Sequence, residues 1–299
     1  MKLTRMVTLL AVGTLTAACD SGDINIAPVT NTDNSVGSNN NIGSAIAGTS
    51  GACATYTKDG QSFSGTEDGN GNCIYASTFV GPKNNLTTDL FVRALPNGGA
   101  HIFEASLFVG EAYDTIAAAN AAGISAGGDG PTLQIEAGAT LAFQTNKDFI
   151  IINRGSRILA DGRADAPITF TSVSDLNGTV GAEDVQQWGG IVINGYGVTN
   201  KCDYVGTRGE AGFELAPVED CSLPAEGAAG DDESFYGGDN DADDSGILRY
   251  VVVKHTGAEV ANGDELIGIS FGGVGSRTVV ENLQTYSTFD DGIEMFGGS

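Results

Sequence analysis

Asp239, Asp241, Asp243 and Asp244 close the acidic stretch AAGDDESFYGGDNDADDSG (228–246), and their spacing is that of a cation loop. Oxygen ligands at every second residue can wrap a hard ion such as Ca²⁺. Counting from Asp241, Gly246 falls at the sixth place, where a calcium loop needs its sharp turn. The twelfth residue is Val252, so the closing bidentate Glu of the twelve-residue loop is missing. The choice lies between a calcium site on Asp239, Asp241, Asp243 and Asp244 and a merely solvated acidic loop. Asp68, Asn70 and Asn72 alternate in the same way, but Cys73 and Phe79 hold the sixth and twelfth places, which reads as a polar turn.

Sulfur offers the second chemistry. Cys53, Cys73, Cys202 and Cys221 are even in number, and proximity favours Cys53–Cys73 and Cys202–Cys221 among three connectivities. Each bridge would close a loop worth about 3 kcal/mol in the chain-entropy model. Zinc is the rival, yet no CxxC pair exists and only His101 and His255 could assist. His255 shares parity with Val251 and Val253, which points it inward as a hydrogen-bonded core residue. Trp188 precedes two glycines, where a packing role outweighs stacking on a sugar. Gly272, Gly273 and Gly275 form no phosphate loop, because no Lys-Ser/Thr follows. Arg249 and Lys254 lie close to the acidic loop in sequence, but nothing in the sequence positions them.

The elements that must hold these residues are short. From Thr132 to Gly195 the chain reads TLQIEAGATLAF, FIIINRGSRILADG, APITFTS and WGGIVING. Each is a β-branched run too short for an ordinary helix, closed by Gly, Asn or Asp. Leu133 with Ile135, Leu141 with Phe143, Ile150 with Ile152 and Ile168 with Phe170 alternate with other residues, as successive rungs of a solenoid would. The expected fold is all-β, a right-handed parallel β-helix over 99–299. Its 44 glycines, about twice the usual share, would supply the corners. Residues 101–110 read as one strand, and EAYDTIAAANAAG as a helical turn or two ending near Gly123.

Around this body the composition shifts. Residues 1–18 are a secretory signal. Residues 19–50 are rich in Asn, Ser, Gly and Thr and form a flexible tether. Residues 51–98 form a small disulfide-stapled unit that caps the first rung, since an open solenoid end invites aggregation. The rung pattern breaks over 196–246, an insertion expected to project from one face and to carry a contact surface. It resumes and runs to Ser299 in mid-pattern, so the sequence is expected to be part of a longer protein.

With 38 acids against 14 bases, the net charge of −24 repels phosphate backbones and excludes nucleic acid as a partner. No run after the signal is apolar enough to span a bilayer.

Leu15-Thr16-Ala17-Ala18-Cys19 resembles the lipobox of bacterial lipoproteins, although Leu15 sits one place early. The resemblance implies lipidation of Cys19 and a membrane anchor. Asp20 would favour the inner membrane in enteric bacteria; outside that group the rule is unreliable, and the outer membrane is the expected address. WGGIVING (188–195), GSRILADGRADAPITFTS (155–172), DDSGILRYVVVKHTG (243–257) and TYSTFDDGIEMFGG (285–298) together resemble bacterial cell-envelope lipoproteins with right-handed parallel β-helix repeats. That resemblance implies architecture and export, and no catalytic residue. Asp290-Asp291 is similar to the paired acids of polygalacturonases, but the companion His-Gly and Arg-x-Lys elements are missing. A structural role for the pair before Gly292 is therefore preferred. The expected function is a lipid-anchored envelope module that binds or scaffolds, with a polysaccharide or another envelope protein as partner. The alternative is a polysaccharide lyase or glycoside hydrolase, with Ca²⁺ as the one cofactor in view.

Overall fold

The computed structural model describes residues 53–124, 128–217, 220–228, 233–261 and 264–299. These residues wind into a parallel β-helix in which each turn of chain gives a strand to three sheets in succession. The first sheet stacks Leu90–Val92, Thr132–Ile135, Arg157–Asp161 and the first halves of Gly246–Lys254 and Val279–Tyr286. The second stacks Cys73–Tyr75, His101–Phe103, Thr140–Phe143, Ile168–Ser172 and the second halves of the same two long strands. The third stacks Leu107–Val109, Phe149–Ile152, Gly190–Asn194, Ile269–Gly272 and Ile293–Phe296. We number the coils one to five from the strand at Leu90.

Period-two alternation is what stacks them. Inward residues of one coil sit in register over those of the next: Ile150, Ile191 and Ile269 form one column, and Ile152, Ile193 and Phe271 the neighbouring one. Ile135, Ile152, Ile168 and Ile193, whose exposure to water would have ruled out this fold, are at most 3% exposed. An aromatic column runs beside the aliphatic ones. Tyr75 stacks on Phe103 with centroids 4.5 Å apart, Phe103 on Phe143 at 5.4 Å, and Phe143 on Trp188 at 4.8 Å. Such pairs contribute roughly 0.5–1.5 kcal/mol each beyond the area they bury.

Glycine makes only some of the corners: Gly138, at φ 88°, turns coil two, but coils four and five turn without it. Between the first and second sheets the connection is 136–139 in coil two and 162–167 in coil three, but a single residue in coils four and five. Those residues are Tyr250 at φ 47° and Asn282 at φ 52°, both left-handed. Glycine is required elsewhere: at Gly246, with φ 114°, a Cβ would lie 1.9 Å from the Ile158 carbonyl oxygen.

Two element readings are corrected. Residues 101–110 form two strands on different sheets, His101–Phe103 and Leu107–Val109, turned at 104–106. The parallel ladders also begin inside the stretch assigned to the cap, at Cys73–Tyr75 and Leu90–Val92. What precedes them is a hairpin of Thr55–Lys58 with Gln61–Ser64, followed by Thr66–Glu67, which closes the second sheet antiparallel against Cys73–Tyr75. The Cys53–Cys73 disulfide fastens this piece to the first ladder. The short helix Ile116–Ala121 is capped by Thr115 and followed by left-handed Gly123, as expected. Cys19, the signal and the tether lie outside the described residues.

Candidate functional site

The insertion leaves the helix after Asn194 and returns at Gly246. It departs through Gly195, whose amide donates to the Gly272 carbonyl at 2.7 Å. A Cβ at Gly195 would stand 2.4 Å from Asp243 Oδ2 and 2.6 Å from the Gly273 carbonyl oxygen, so the exit is built for glycine.

Its second half does not project. Leu223–Pro224 pairs antiparallel with Phe235–Tyr236, and Ala225, Ala228 and Tyr236 join the hydrophobic core. Tyr236 packs at Gly272 on the outer face of the third sheet, a face on which Ile151 and Val192 are 0% and 1% exposed although alternation turns them away from the helix axis. Ser234 Oγ donates to Asn153 Oδ1 at 2.5 Å and accepts from Asn194 Nδ2 at 2.7 Å. Arg154 is the clamp. Its Nη1 donates to the carbonyls of Cys221 and Gly237, and its Nη2 to the Tyr113 carbonyl and Ser222 Oγ, all within 3.1 Å. Burial holds the Arg154 pKa below the usual arginine value. Sequence reasoning missed this residue, because its partners lie 41 to 83 positions away.

The first half of the insertion builds a cleft of about 490 Å³ against coil five, lined by Val198, Thr199, Tyr204, Arg208, Phe213 and Met295 among others. Tyr204–Val205 pairs antiparallel with Glu214–Leu215, which sets the Tyr204 and Phe213 rings face to face, 5.1 Å apart and 19° from parallel. The Tyr204 hydroxyl accepts from the Thr199 amide at 3.0 Å and donates to the Gly238 carbonyl at 2.9 Å. The Cys202–Cys221 disulfide staples the wall, so both expected pairings are present. Arg208 meets Asp241 through two hydrogen bonds of 2.6 Å and reaches the Gly298 carbonyl at 2.8 Å. Pairing with Arg208 holds the Asp241 carboxyl below the usual carboxylate range.

The four aspartates of the acidic loop are therefore dispersed. Asp241 belongs to Arg208, and Asp244 pairs with Arg157 at 2.8 Å. Asp239 accepts from the Leu215 amide at 3.3 Å. Asp243 is fully buried, accepts from Ser245 Oγ at 2.9 Å, and has its pKa raised by burial. Among the described residues no three acidic, His or Cys side chains converge as a metal site would need. The residues at Asp68, Asn70 and Asn72 form a turn in which Asp68 accepts from the amides of both asparagines.

A second polar cluster gathers at the rim between the second and third sheets. Asp175, on the one-turn helix Val173–Leu176, accepts from Thr171 Oγ1 and pairs with Lys254 Nζ, each at 2.7 Å. His255 Nε2 lies 3.4 Å from its other oxygen. Burial alone would raise the Asp175 pKa, but Lys254 and Thr171 outweigh it and hold the carboxyl low. His255 is buried, and its Nδ1 lies 2.7 Å from the Asp184 carbonyl oxygen. Trp188 is fully buried, donating from Nε1 to the Lys254 carbonyl at 2.8 Å. This cluster pins the helix to the sheet. Asp290 and Asp291 are exposed on the 287–292 turn. Arg249 is held between Asp161 and Glu281 at 2.7 and 2.8 Å.

Residues 118–299 match the family model described as a pectate-lyase-like β-helix domain. Comparisons with curated proteins and with solved structures find no match.

Proposed function

We propose a function from one premise: the chain belongs to the pectate-lyase-like β-helix family, with the matched region covering more than half of it. Within that family it acts as a binding module of the cell envelope, anchored through lipid on Cys19 and holding a glycan in the cleft between its insertion and coil five. The stacked Tyr204–Phe213 pair carries this reading. Aromatic faces gather the apolar C–H faces of sugar rings, and a rigid wall keeps the ordering cost of binding low. The disulfide, the Arg208–Asp241 pair and the Tyr204 hydroxyl bonds supply that rigidity.

Charge selects the glycan. A net charge of −24 disfavours uronate-rich chains, so the ligand is a neutral oligosaccharide. Asp241, paired with the cleft's Arg208, does not suit the role of a glycosidase acid. A glycosidase acid needs its proton held at neutral pH, whereas Asp241 is shifted the opposite way by Arg208. A lyase needs an available base, whereas Arg249 and Lys254 are committed to carboxylates.

The second reading, a polysaccharide lyase or hydrolase, is favoured by family membership. Incubation with neutral and acidic polysaccharides, with and without Ca²⁺, separates the two. New reducing ends or unsaturated uronates would establish the enzyme. Retention of neutral oligosaccharide without new ends supports the module.

A further inference from the structure

Among the described residues, one of the three outer faces of the helix is left bare. The third sheet is covered by the insertion, and part of the second by the helix Val173–Leu176. The outer face of the first sheet carries an apolar stripe instead. Phe91, Gln134, Leu159, Ile247 and Val279 stand in register across coils one to five, each partly exposed. Beside them, two residues further along each strand, runs a charged column. Asp161, Arg249 and Glu281 are in register, and continuing the ladder places Arg93 and Glu136 ahead of them. From coil one to coil five the column reads plus, minus, minus, plus, minus.

That order is largely complementary to its own reverse. A second copy turned over about an axis parallel to the strands keeps strand direction and reverses coil order. Centred on coil three, this rotation sets Arg93 against Glu281 of the other copy and Glu136 against the other Arg249. Phe91 then faces Val279, Gln134 faces Ile247, and Leu159 faces itself. The like pair at the centre, Asp161 with Asp161, keeps its own Arg249 at 2.7 Å as counter-charge in each copy. In a chain with only 14 basic residues, Arg93, Arg157 and Arg249 all lie on this face, making it locally near neutral. It is thus a place where two strongly acidic copies can approach.

We propose that the outer face of the first sheet is a two-fold self-association surface, in which the stripe from Phe91 to Val279 packs on itself and Arg93 pairs with Glu281 of the second copy. The inference goes beyond glycan binding and does not rest on it. Five strands spaced about 4.8 Å apart, each some 15 Å long, offer on the order of 350 Å² per copy. Stable dimers bury about 800 Å² per partner, so the association is weak and reversible.

The test is sedimentation of the full chain over a concentration series at about 0.15 M salt, where the Debye length of about 8 Å screens the net charge. The weight-average mass is expected to climb from monomer towards dimer. Arg93→Glu and Glu281→Arg should each leave the chain monomeric at the top of the series. An equimolar mixture of the two should dimerise again, since both interfacial contacts are then opposite in sign. Arg93 and Glu281 lie four coils apart in one chain, so this rescue can arise only between copies. A wild type that stays monomeric throughout overturns the proposal. So does a dimer that either variant leaves intact, or a mixture that fails to recover.

Discussion

The Tyr75 hydroxyl lies 2.7 Å from His101 Nδ1, and the two side chains are 1% and 0% exposed. The hydroxyl accepts from the Ala54 amide at 2.8 Å, and it donates its own proton to Nδ1 because Nε2 faces the Arg93 carbonyl, which can only accept. The imidazole proton is then on Nε2, which donates to the Arg93 carbonyl at 2.7 Å. A neutral histidine uses both nitrogens, and the cap residue next to Cys53 is tied to coil one through it.

This arrangement predicts acid sensitivity in a defined window. Burial pushes the His101 pKa down to about 4, against about 6.5 for the unfolded chain. Between those values the unfolded chain binds a proton that the folded one refuses, so stability falls as pH is lowered from 6.5 to 4. The full loss is on the order of 3 kcal/mol. Asp175 and Asp241, both shifted down, lose their contributions only below the ordinary carboxylate value. Urea unfolding at pH 7 and pH 4.5 should give a smaller pH difference for His101→Gln than for wild type. An equal difference would place the acid sensitivity elsewhere.

Arg154→Met is expected to release the insertion while leaving the coils wound. Loss of the guanidinium strands the carbonyls of Cys221, Gly237 and Tyr113, at roughly 1–3 kcal/mol for each buried acceptor left unpaired. Hydrogen exchange should accelerate over 220–228, over 233–238 and around the helix Ile116–Ala121, but not in Phe149–Ile152. Uniform acceleration would mean that the clamp supports the whole helix.

The one-residue corner at Tyr250 tests backbone strain directly. A left-handed non-glycine residue costs roughly 1–2 kcal/mol, and a β-branched one more. Tyr250→Gly relieves that strain but loosens the unfolded chain, so it should be near neutral; Tyr250→Val should lose more than about 1 kcal/mol. Thermal unfolding of the pair gives the comparison, and equal melting temperatures would contradict it.

Phe143 lies at the junction of the aromatic column with Trp188. Phe143→Ala should cost about 3–5 kcal/mol and shift the fluorescence of Trp188 to the red as water reaches the cavity. Unchanged emission would mean that the ring stack does not seal the core.

What the sequence made legible follows from locality. Inward columns were readable because alternation is a two-residue signal that each run carries by itself, as at Ile150 and Ile152. The cysteine pairs were readable because their partners lie 20 and 19 residues apart. The one-residue corners were hidden, since Tyr250 carries no mark of a left-handed backbone and Asn282, a residue that tolerates it, stands alone inside an unbroken strand pattern. The acidic loop left two readings open, because alternating aspartates look alike whether they share a cation or divide among Arg208, Arg157 and Ser245. The covering of the third sheet was hidden too, because Ala225, Ala228 and Tyr236 are scattered through a polar stretch.

Glycan capture without turnover is the central claim, and calorimetric titration of neutral oligosaccharides into the full chain tests it most directly. Wild type should give saturable heat, Phe213→Ala should lose at least tenfold in affinity with its melting temperature unchanged, and uronate oligosaccharides should give none. Saturable binding that Phe213→Ala leaves untouched, or tighter binding of the uronates, would contradict the account.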